Sequence, residues 1–202
     1  MDPSQIRQSV RQKRRQMSDS VRLTASQQIC KTFLDRADFR AATNIGAFLA
    51  FDGEPDLAML ISAAWDRGQR VFLPIVQGKE QPMSFAAYDK ESTLVENRFG
   101  ILEPDPATAL RIDPTELDYV LAPLVAFDAE CHRIGVGGGF YDRTFAFKRT
   151  AAENQTREKN WPTMIGVAFE FQKVESIQPQ PWDVPLDAVV TEKQTYNYGK
   201  RN

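Results

Sequence analysis

Residues 44–75, with the sequence NIGAFLAFDGEPDLAMLISAAWDRGQRVFLPI, hold the pattern that decides the fold. The run 44–51 is apolar without alternation, which is typical of a buried parallel strand. Residues 56–67 place their apolar side chains on one face at helical spacing, and 70–75 predicts a second strand. A strand, a helix and a strand in this order form a right-handed βαβ unit. The stretch therefore predicts a parallel sheet and the α/β class.

The rest of the chain extends this pattern in both directions. Residues 1–40 predict two helices, and Ser18 is the expected cap of the second. Further elements are predicted as strands at 83–88, 119–127, 163–169 and 188–191 and a helix at 141–149. We interpret 97–114 as an irregular loop and 151–160 as a mobile surface loop. We expect one domain over residues 1–202, with a mostly parallel central sheet and the helical segment 1–40 packed on its core.

Composition and charge exclude several classes of protein. The 202 residues are 42% hydrophobic and 26% charged, with 25 basic and 27 acidic side chains, which argues against a domain that coats nucleic acid. The longest apolar runs fall far short of the roughly 20 residues that cross a bilayer. The single histidine excludes multi-histidine zinc sites. Two cysteines and no signal-peptide pattern predict a cytoplasmic protein without a disulfide framework.

The most informative segment is 133–143, RIGVGGGFYDR, with four glycines within five residues. It follows a predicted buried strand and precedes a predicted helix, so backbone N–H groups and the positive helix end meet there. An anion, most often phosphate, is the expected ligand, and a purely structural turn is the alternative. The segment is neither a P-loop nor a dinucleotide fingerprint, because Phe140 stands where those motifs need lysine or glycine.

Charged residues beside the glycines support anion binding. Arg133 and Arg143 are candidate contacts for phosphate oxygens. Asp142 is a candidate Mg²⁺ ligand, although an acid in the first turn of a helix also complements the helix dipole.

Together with LVAFD at 124–128, the string 133–143 strongly resembles the 5-formyltetrahydrofolate cyclo-ligase family, also called methenyltetrahydrofolate synthetases. Weaker segments follow in the family's order over nearly the whole chain: 6–18, 51–54, 97–104, 182–187 and 189–191. The resemblance implies the family's fold, a single-domain three-layer α/β sandwich related to the ribose-phosphate isomerase and CoA-transferase group.

The resemblance also implies a Mg·ATP-dependent ring closure. In the family, ATP phosphorylates the formyl oxygen of 5-formyltetrahydrofolate, N10 attacks the activated carbon, and phosphate leaves, giving 5,10-methenyltetrahydrofolate and ADP. Phosphoryl transfer depends on positioning and charge stabilisation rather than on a nucleophilic side chain. We accordingly expect ATP and Mg²⁺ as co-substrate and metal, a monomer, and no nucleic-acid or membrane partner.

Site residues are implied position by position. The family's ATP contacts fall on Arg7, Arg133, Ile134, Gly135, Val136, Gly137, Gly138, Gly139, Phe140 and Tyr141. Its folate contacts fall on Leu49, Glu54, Val136, Gly137, Gly138, Gly139 and Phe140. Its magnesium carboxylates fall on Asp142 and Asp183, and the predicted catalytic residues are Arg133, Tyr141 and Asp142.

The chain departs from the family pattern at two places. Pro3 stands where the family often has a lysine, four residues before Arg7, so Arg11 or Lys13 is the alternative source of that phosphate contact. Many members also carry a basic residue inside the glycine loop, where this chain has Val136 and Gly138. This difference shifts phosphate binding toward backbone N–H groups, Arg133 and magnesium.

Simpler interpretations exist for several of these residues. Lys13, Arg14 and Arg15 are typical of a solvated helix face. Glu54 follows the carboxyl end of a strand, where it either accepts hydrogen bonds from a pterin or is a turn acid in solvent. Cys131 and His132 are adjacent but have no evident orienting partner, so we interpret them as incidental.

Two other functions remain alternatives at this point. One is a phosphosugar isomerase or CoA-transferase-like enzyme, for which Glu54 is the candidate catalytic glutamate. The other is a nucleic-acid-binding protein that uses the basic first helix, which the net charge of −2 opposes.

Overall fold

A computed structural model describes residues 2–149 and 161–199 and is built on an eight-stranded sheet. In spatial order the strands are Thr195–Asn197 (β12), Ala188–Val190 (β11), Thr163–Val167 (β10), Tyr119–Pro123 (β7), Asn44–Gly46 (β1), Arg70–Ile75 (β2), Ser84–Tyr88 (β3) and Arg111–Ile112 (β6). The five strands from β11 to β2 run parallel, and β12, β3 and β6 are antiparallel to their neighbours. The predicted α/β class and mostly parallel sheet are confirmed.

The predicted βαβ unit is β1, a helix at Ala58–Asp66 (α4), and β2. Strand β1 is much shorter than the predicted strand 44–51. Ala47 N still donates to Phe72 O at 2.8 Å, and residues 48, 49 and 51 then line a cavity instead of pairing. The second half of the run is therefore apolar for a reason other than strand pairing.

Helices cover the sheet on both faces. Pro3–Gln16 (α1), Asp19–Asp35 (α2) and Ala37–Ala41 (α3) fill the predicted helical segment, and Ser18 Oγ accepts from Val21 N as the cap of α2. Helices α2, α3 and α4 pack on one face, around Phe33 and Phe39. A second core, which includes Phe145, covers the other face, so the predicted three layers are confirmed.

Several predicted boundaries are wrong. Residues 97–114 hold Leu102–Pro104 (β5), which pairs with Leu94–Glu96 (β4), and the sheet strand β6. The predicted strand 119–127 divides after Pro123, whose missing N–H prevents a continuous ladder, into β7 and Ala126–Phe127 (β8). Strand β8 pairs with Arg133–Ile134 (β9) outside the main sheet.

The predicted helix 141–149 is interrupted. Phe140–Thr144 (α5) ends at Phe145, and residues 146–149 are helical again. The interpretation of 151–160 as a mobile loop falls outside the described residues. Among the helices that are described, none is long and apolar enough to cross a membrane.

Candidate active site

A cavity of about 760 Å³ opens beyond the carboxyl ends of three neighbouring parallel strands. Leu49 follows β1, Val76 follows β2, and Leu124 follows β7. Ligands of open α/β sheets bind at this end of the strands, and the volume is that of a small-molecule pocket. Helix α1, the turn 51–54, the segment 97–102 and the glycine loop complete the walls.

The glycine loop, residues 135–139, forms one wall and leads into α5. Gly137 and Gly139 have φ values of 101° and 62°, in the region that side chains disfavour. A Cβ on Gly138 would lie 2.4 Å from the Phe140 ring, and one on Gly139 would lie 2.7 Å from Arg143 Nη1. Gly137, Gly138 and Gly139 are therefore required by the conformation of the loop, whatever it binds.

Two arginines hold the carbonyl groups of this loop. Arg7 Nε on α1 donates to Gly135 O at 2.8 Å. Arg143 Nη2 donates to Gly138 O at 2.6 Å and to Lys79 O at 2.8 Å. Arg143, a candidate phosphate contact, is thus engaged with main-chain oxygens. Arg7 lies in a shallow groove along α1 rather than in the main cavity.

Arg133 and Asp142 form an ion pair at the base of the cavity. Arg133 Nη2 donates to Asp142 Oδ1, and its Nη1 donates to Val184 O. Val184 N donates to the same Oδ1 at 3.0 Å. Both donors use one carboxylate oxygen, so Asp142 Oδ2 is the atom that remains for a cation.

The two predicted magnesium carboxylates differ in their position. Asp142 lines the cavity, whereas Asp183 does not and instead accepts from Gln180 N at 2.8 Å. Within residues 2–149 and 161–199 there is no cluster of three or more metal-binding side chains. Protein sites for Mg²⁺ commonly use one or two carboxylates plus substrate phosphates, so Asp142 beside the glycine loop fits the ion.

Glu54 is buried in the cavity wall formed by the turn 51–54, with 8% of its surface exposed. Its Oε2 accepts from Phe51 N at 3.2 Å, and its Oε1 lies 3.6 Å from Arg14 Nη1. Burial raises the pKa of Glu54 to about 7, against the attraction of the Arg14 charge. Glu54 is therefore not a turn acid in solvent.

The turn that carries Glu54 is tied to α1 by ion pairs. Asp52 Oδ2 accepts from Arg11 Nε at 2.7 Å, and Asp52 Oδ1 accepts from Arg15 Nε at 3.1 Å. Burial alone would raise the pKa of Asp52, but the hydrogen bonds and charges of Arg11 and Arg15 lower it below its usual value. Arg11 is therefore engaged with the turn.

Arg14 is the residue that sequence reasoning missed. Lys13 and Arg15 are exposed, as predicted for a solvated face, but only 1% of Arg14 is exposed and it lines the cavity. Ile6, Val10 and Arg14 recur every four residues and are the buried residues of α1. This register, which places Arg14 on the apolar stripe of the helix, was the available signal.

Most of the other predicted folate and nucleotide contacts line the cavity, and one does not. Leu49, Val136 and Phe140 line the cavity, together with Gly135 and the three following glycines. Ile134 does not, because it packs with the apolar stripe of α1. Phe51 and Phe99 are 39% and 44% exposed, which leaves aromatic surface beside the cavity for a planar ligand.

Tyr141 also lines the cavity, but its hydroxyl is buried. That hydroxyl has no hydrogen-bond partner among the described residues. Burial raises the pKa of Tyr141, the Glu54 charge adds to the effect, and Arg133 opposes it.

Cys131 and His132 lie away from the cavity and do not form a pair. The Cys131 thiol donates to Tyr196 O at 3.5 Å, and burial raises its pKa to about 11. His132 Nδ1 lies 3.0 Å from Asp128 Oδ2. These contacts agree with an incidental role for both residues in the chemistry.

The fold and the cavity define an α/β protein with a small-molecule site walled by a glycine loop and a buried carboxylate. Comparison with known proteins identifies its family. The family model described as 5-formyltetrahydrofolate cyclo-ligase matches residues 2–192. The chain belongs to the 5-formyltetrahydrofolate cyclo-ligase family.

Individual relatives agree with this assignment. The 5-formyltetrahydrofolate cyclo-ligase of Escherichia coli K12 is 35% identical over 190 residues, which cover 94% of this chain and 100% of that protein. The Haemophilus influenzae protein of the same name is 33% identical, covering 90% and 93%.

A solved structure extends the likeness to the fold. The structure of Aquifex aeolicus 5,10-methenyltetrahydrofolate synthetase matches with a TM-score of 0.81 at 28% identity, covering 100% of this chain and 95% of that one. These relatives favour the cyclo-ligase class of enzyme over the phosphosugar isomerase or CoA-transferase alternative.

Proposed function

We propose that this protein is a ligase that converts 5-formyltetrahydrofolate to 5,10-methenyltetrahydrofolate at the expense of ATP. The observation that carries the proposal is one cavity lined by both the glycine loop and buried Glu54. A glycine loop suits phosphate, and a buried carboxylate suits the amino and ring N–H groups of a pterin. The two walls therefore suit two different substrates.

Folate binding is assigned to the wall around Glu54. The carboxylate accepts hydrogen bonds from the pterin, and the side chain of Leu49 and the ring of Phe140 supply apolar contact. The aromatic surface of Phe51 and Phe99 supports this placement, because a flat heterocycle stacks well on such rings.

Nucleotide binding is assigned to the glycine loop, with Arg7 and Arg133 as the basic side chains. Support comes from the loop conformation, which brings main-chain groups to the cavity without a side chain in between. Asp142 would hold Mg²⁺ there. Asp183 is a proposed second carboxylate, because it precedes Val184, whose main chain bonds to Asp142 and Arg133. When bound, the ion neutralises developing charge on the phosphate oxygens.

The reaction follows from placing the two substrates in one cavity. The formyl oxygen attacks the γ-phosphorus of ATP, and the bond from that phosphorus to the ADP oxygen breaks. The N10 lone pair then forms a bond to the formyl carbon, N10 loses its proton, and the phosphorylated oxygen leaves as phosphate. Arg133 stabilises phosphate charge, Tyr141 forms part of the cavity wall, and holding both substrates in one cavity supplies their orientation.

The working form is proposed to be a cytoplasmic monomer of one domain. The cavity is built from a single chain, so a partner subunit need not supply a wall. Free, buried Cys30 and Cys131 suit a reducing compartment. Size-exclusion chromatography with light scattering tests the monomer.

An absorbance assay tests the reaction. Methenyltetrahydrofolate absorbs in the near ultraviolet, so enzyme, 5-formyltetrahydrofolate and Mg·ATP should produce a growing band there, with one ADP formed per product. Reactions that lack ATP, or that contain a non-hydrolysable ATP analogue, are the controls and should give no band. ATP consumption without the band, or a band without ATP, contradicts the proposed function.

A further inference from the structure

The side chain of Arg14 is placed unusually for an arginine. It is 1% exposed, and neither Nε nor Nη1 has a hydrogen-bond partner among the described residues. Its nearest carboxylate oxygens, on Asp52 and Glu54, both lie at 3.6 Å, which is an ion-pair distance rather than a hydrogen bond. Burying a guanidinium with so few hydrogen bonds is costly, so its position requires a compensating role.

Asp52 does not explain that role. It already accepts hydrogen bonds from Arg11 and Arg15, both more exposed than Arg14. Glu54, by contrast, has Arg14 as the one basic side chain within ion-pair distance in the described part of the chain. The charge of Arg14 therefore matters most for Glu54.

The groups around Glu54 act in opposite directions. Burial is the largest influence and favours the protonated acid, and the negative charge of Asp52 on the same turn adds to it. Arg14 from α1 and the N–H of Phe51 favour the carboxylate. Tyr141 faces Glu54 from α5 as a neutral phenol, and Arg133 and Asp142 share the cavity as a mutual ion pair. Removing Arg14 would leave burial and Asp52 largely unopposed.

We propose that Arg14 is a positioning residue for folate binding, which keeps Glu54 ionised and directed into the cavity so that it accepts the pterin's hydrogen bonds. This inference rests on the proposed function, since it takes Glu54 as the folate acceptor. Arg14 acts through Glu54 and not on the nucleotide.

The test is the pH dependence of kcat/KM for 5-formyltetrahydrofolate at saturating Mg·ATP. In the wild type, kcat/KM should decline as the pH falls through about 7, because the pKa of Glu54 is about 7 and its ionised form binds the folate. This decline is the acid limb of the pH profile. Arg14→Met removes the positive charge beside Glu54, so the acid limb should move to higher pH by about one pH unit or more. At pH 7, where the wild-type carboxyl is half ionised, this is a loss of roughly fivefold or more, which recovers at alkaline pH, while the KM for ATP stays within about twofold.

Matched variants separate charge from structure. Arg14→Gln is a second neutral variant that keeps a hydrogen-bond donor and should shift the limb similarly. Arg14→Lys keeps the charge and should leave the limb near that of the wild type. Lys31→Met removes a charge from an exposed position on α2, to which no role in binding is assigned, and should also leave the limb unchanged. Thermal melting establishes that each variant is folded.

Some outcomes overturn the proposal. The proposal is wrong if folded Arg14→Met or Arg14→Gln keeps the acid limb at its wild-type pH. It is also wrong if either variant loses kcat/KM equally at every pH. An Arg14→Lys limb that is shifted as far as the neutral variants overturns it as well. Glu54→Gln distinguishes this failure from a wrong site assignment, because it should abolish the limb. Wild-type kinetics in Glu54→Gln would instead reject Glu54 as the folate acceptor, and the role of Arg14 with it.

Discussion

The two walls of the cavity are built by different means. The turn 51–54 is held by side-chain charge, with Asp52 and Glu54 facing three arginines of α1. The glycine loop takes its shape from the main chain, with positive φ at Gly137 and Gly139, and the arginines that support it bind its carbonyl groups rather than carboxylates. The wall that is held by ion pairs should change its binding properties with pH, with salt and with single charge substitutions. A wall made from backbone responds to the presence of any side chain.

The largest effect should come from breaking the backbone wall. Gly137→Val places a β-branched side chain at φ 101°, so we expect loss of measurable ATP binding. Equilibrium binding of ATP measures this loss. Normal ATP binding by Gly137→Val would show that the loop is only a structural turn.

Gly68→Val is the matched control for this substitution. Gly68 has φ 73° and lies at the end of α4, and a Cβ there would meet no described atom within 4 Å. Gly68→Val should therefore lose stability through backbone strain and keep ATP binding.

Asp142→Asn tests the charge that lies next to the backbone wall. The amide keeps an oxygen that accepts from Arg133 and Val184, but withdraws the carboxylate proposed for Mg²⁺. We expect kcat to fall roughly 10²-fold or more, as when one electrostatic stabiliser is removed. Magnesium titrations of activity and of ADP–enzyme binding check it, and thermal melting establishes folding. An unchanged kcat with an unchanged magnesium requirement would reject Asp142 as a ligand.

Asp183→Asn, measured in parallel, sharpens the metal assignment. Its carboxylate does not line the cavity, so we expect a smaller loss than for Asp142→Asn. Equal losses would place both carboxylates on the ion.

Glu54→Gln tests the charged wall without touching the loop. Charge-assisted hydrogen bonds are worth about 1.5–3 kcal/mol each, so the KM for 5-formyltetrahydrofolate should rise roughly tenfold or more. The KM for ATP should stay within about twofold. Steady-state kinetics with each substrate varied in turn measure both constants. If the ATP constant worsens and the folate constant holds, the two walls are assigned the wrong way round.

Arg15→Ala should have the smallest effect. The Arg15 side chain is 69% exposed, and its partner Asp52 keeps the hydrogen bond from Arg11. We therefore expect the free energy of unfolding to fall by about 0.2–1 kcal/mol. Urea denaturation of the wild type and of Arg15→Ala measures this difference. In about 1 M NaCl the two proteins should differ less, because salt screens the ion pair. A much larger cost would mean that the turn depends on each arginine separately.

The sequence predicted the backbone wall better than the charged one. Four glycines before a helix indicate a main-chain site by themselves, and the structure places them on the cavity. The role of Arg14 depends on which turn packs against α1, and that contact joins distant parts of the chain. The sequence does show Arg14 four residues after Val10, on the buried face of the helix. An arginine between Lys13 and Arg15 is nevertheless typical of a solvent-exposed face.

The fold was predictable where one local pattern dominates. The alternation of β1, α4 and β2 follows from periodicity within about 30 residues. The end of β1 at Gly46 was not predictable, because residues 48, 49 and 51 are apolar and line the cavity instead of pairing. The break after Pro123 could have been predicted from the proline itself. The short pairs β4–β5 and β8–β9 depend on tertiary contacts that periodicity does not encode.

The hydrogen bond from Arg7 to Gly135 joins positions 128 residues apart in the chain. Closing so long a segment costs conformational entropy, and contacts of this separation slow folding. The glycine loop therefore gains this support only after the first helix and the later strands have come together. Any ligand that binds the completed loop stabilises the finished chain and not its partly folded forms, so the fraction of chain that binds such a ligand measures how complete folding is.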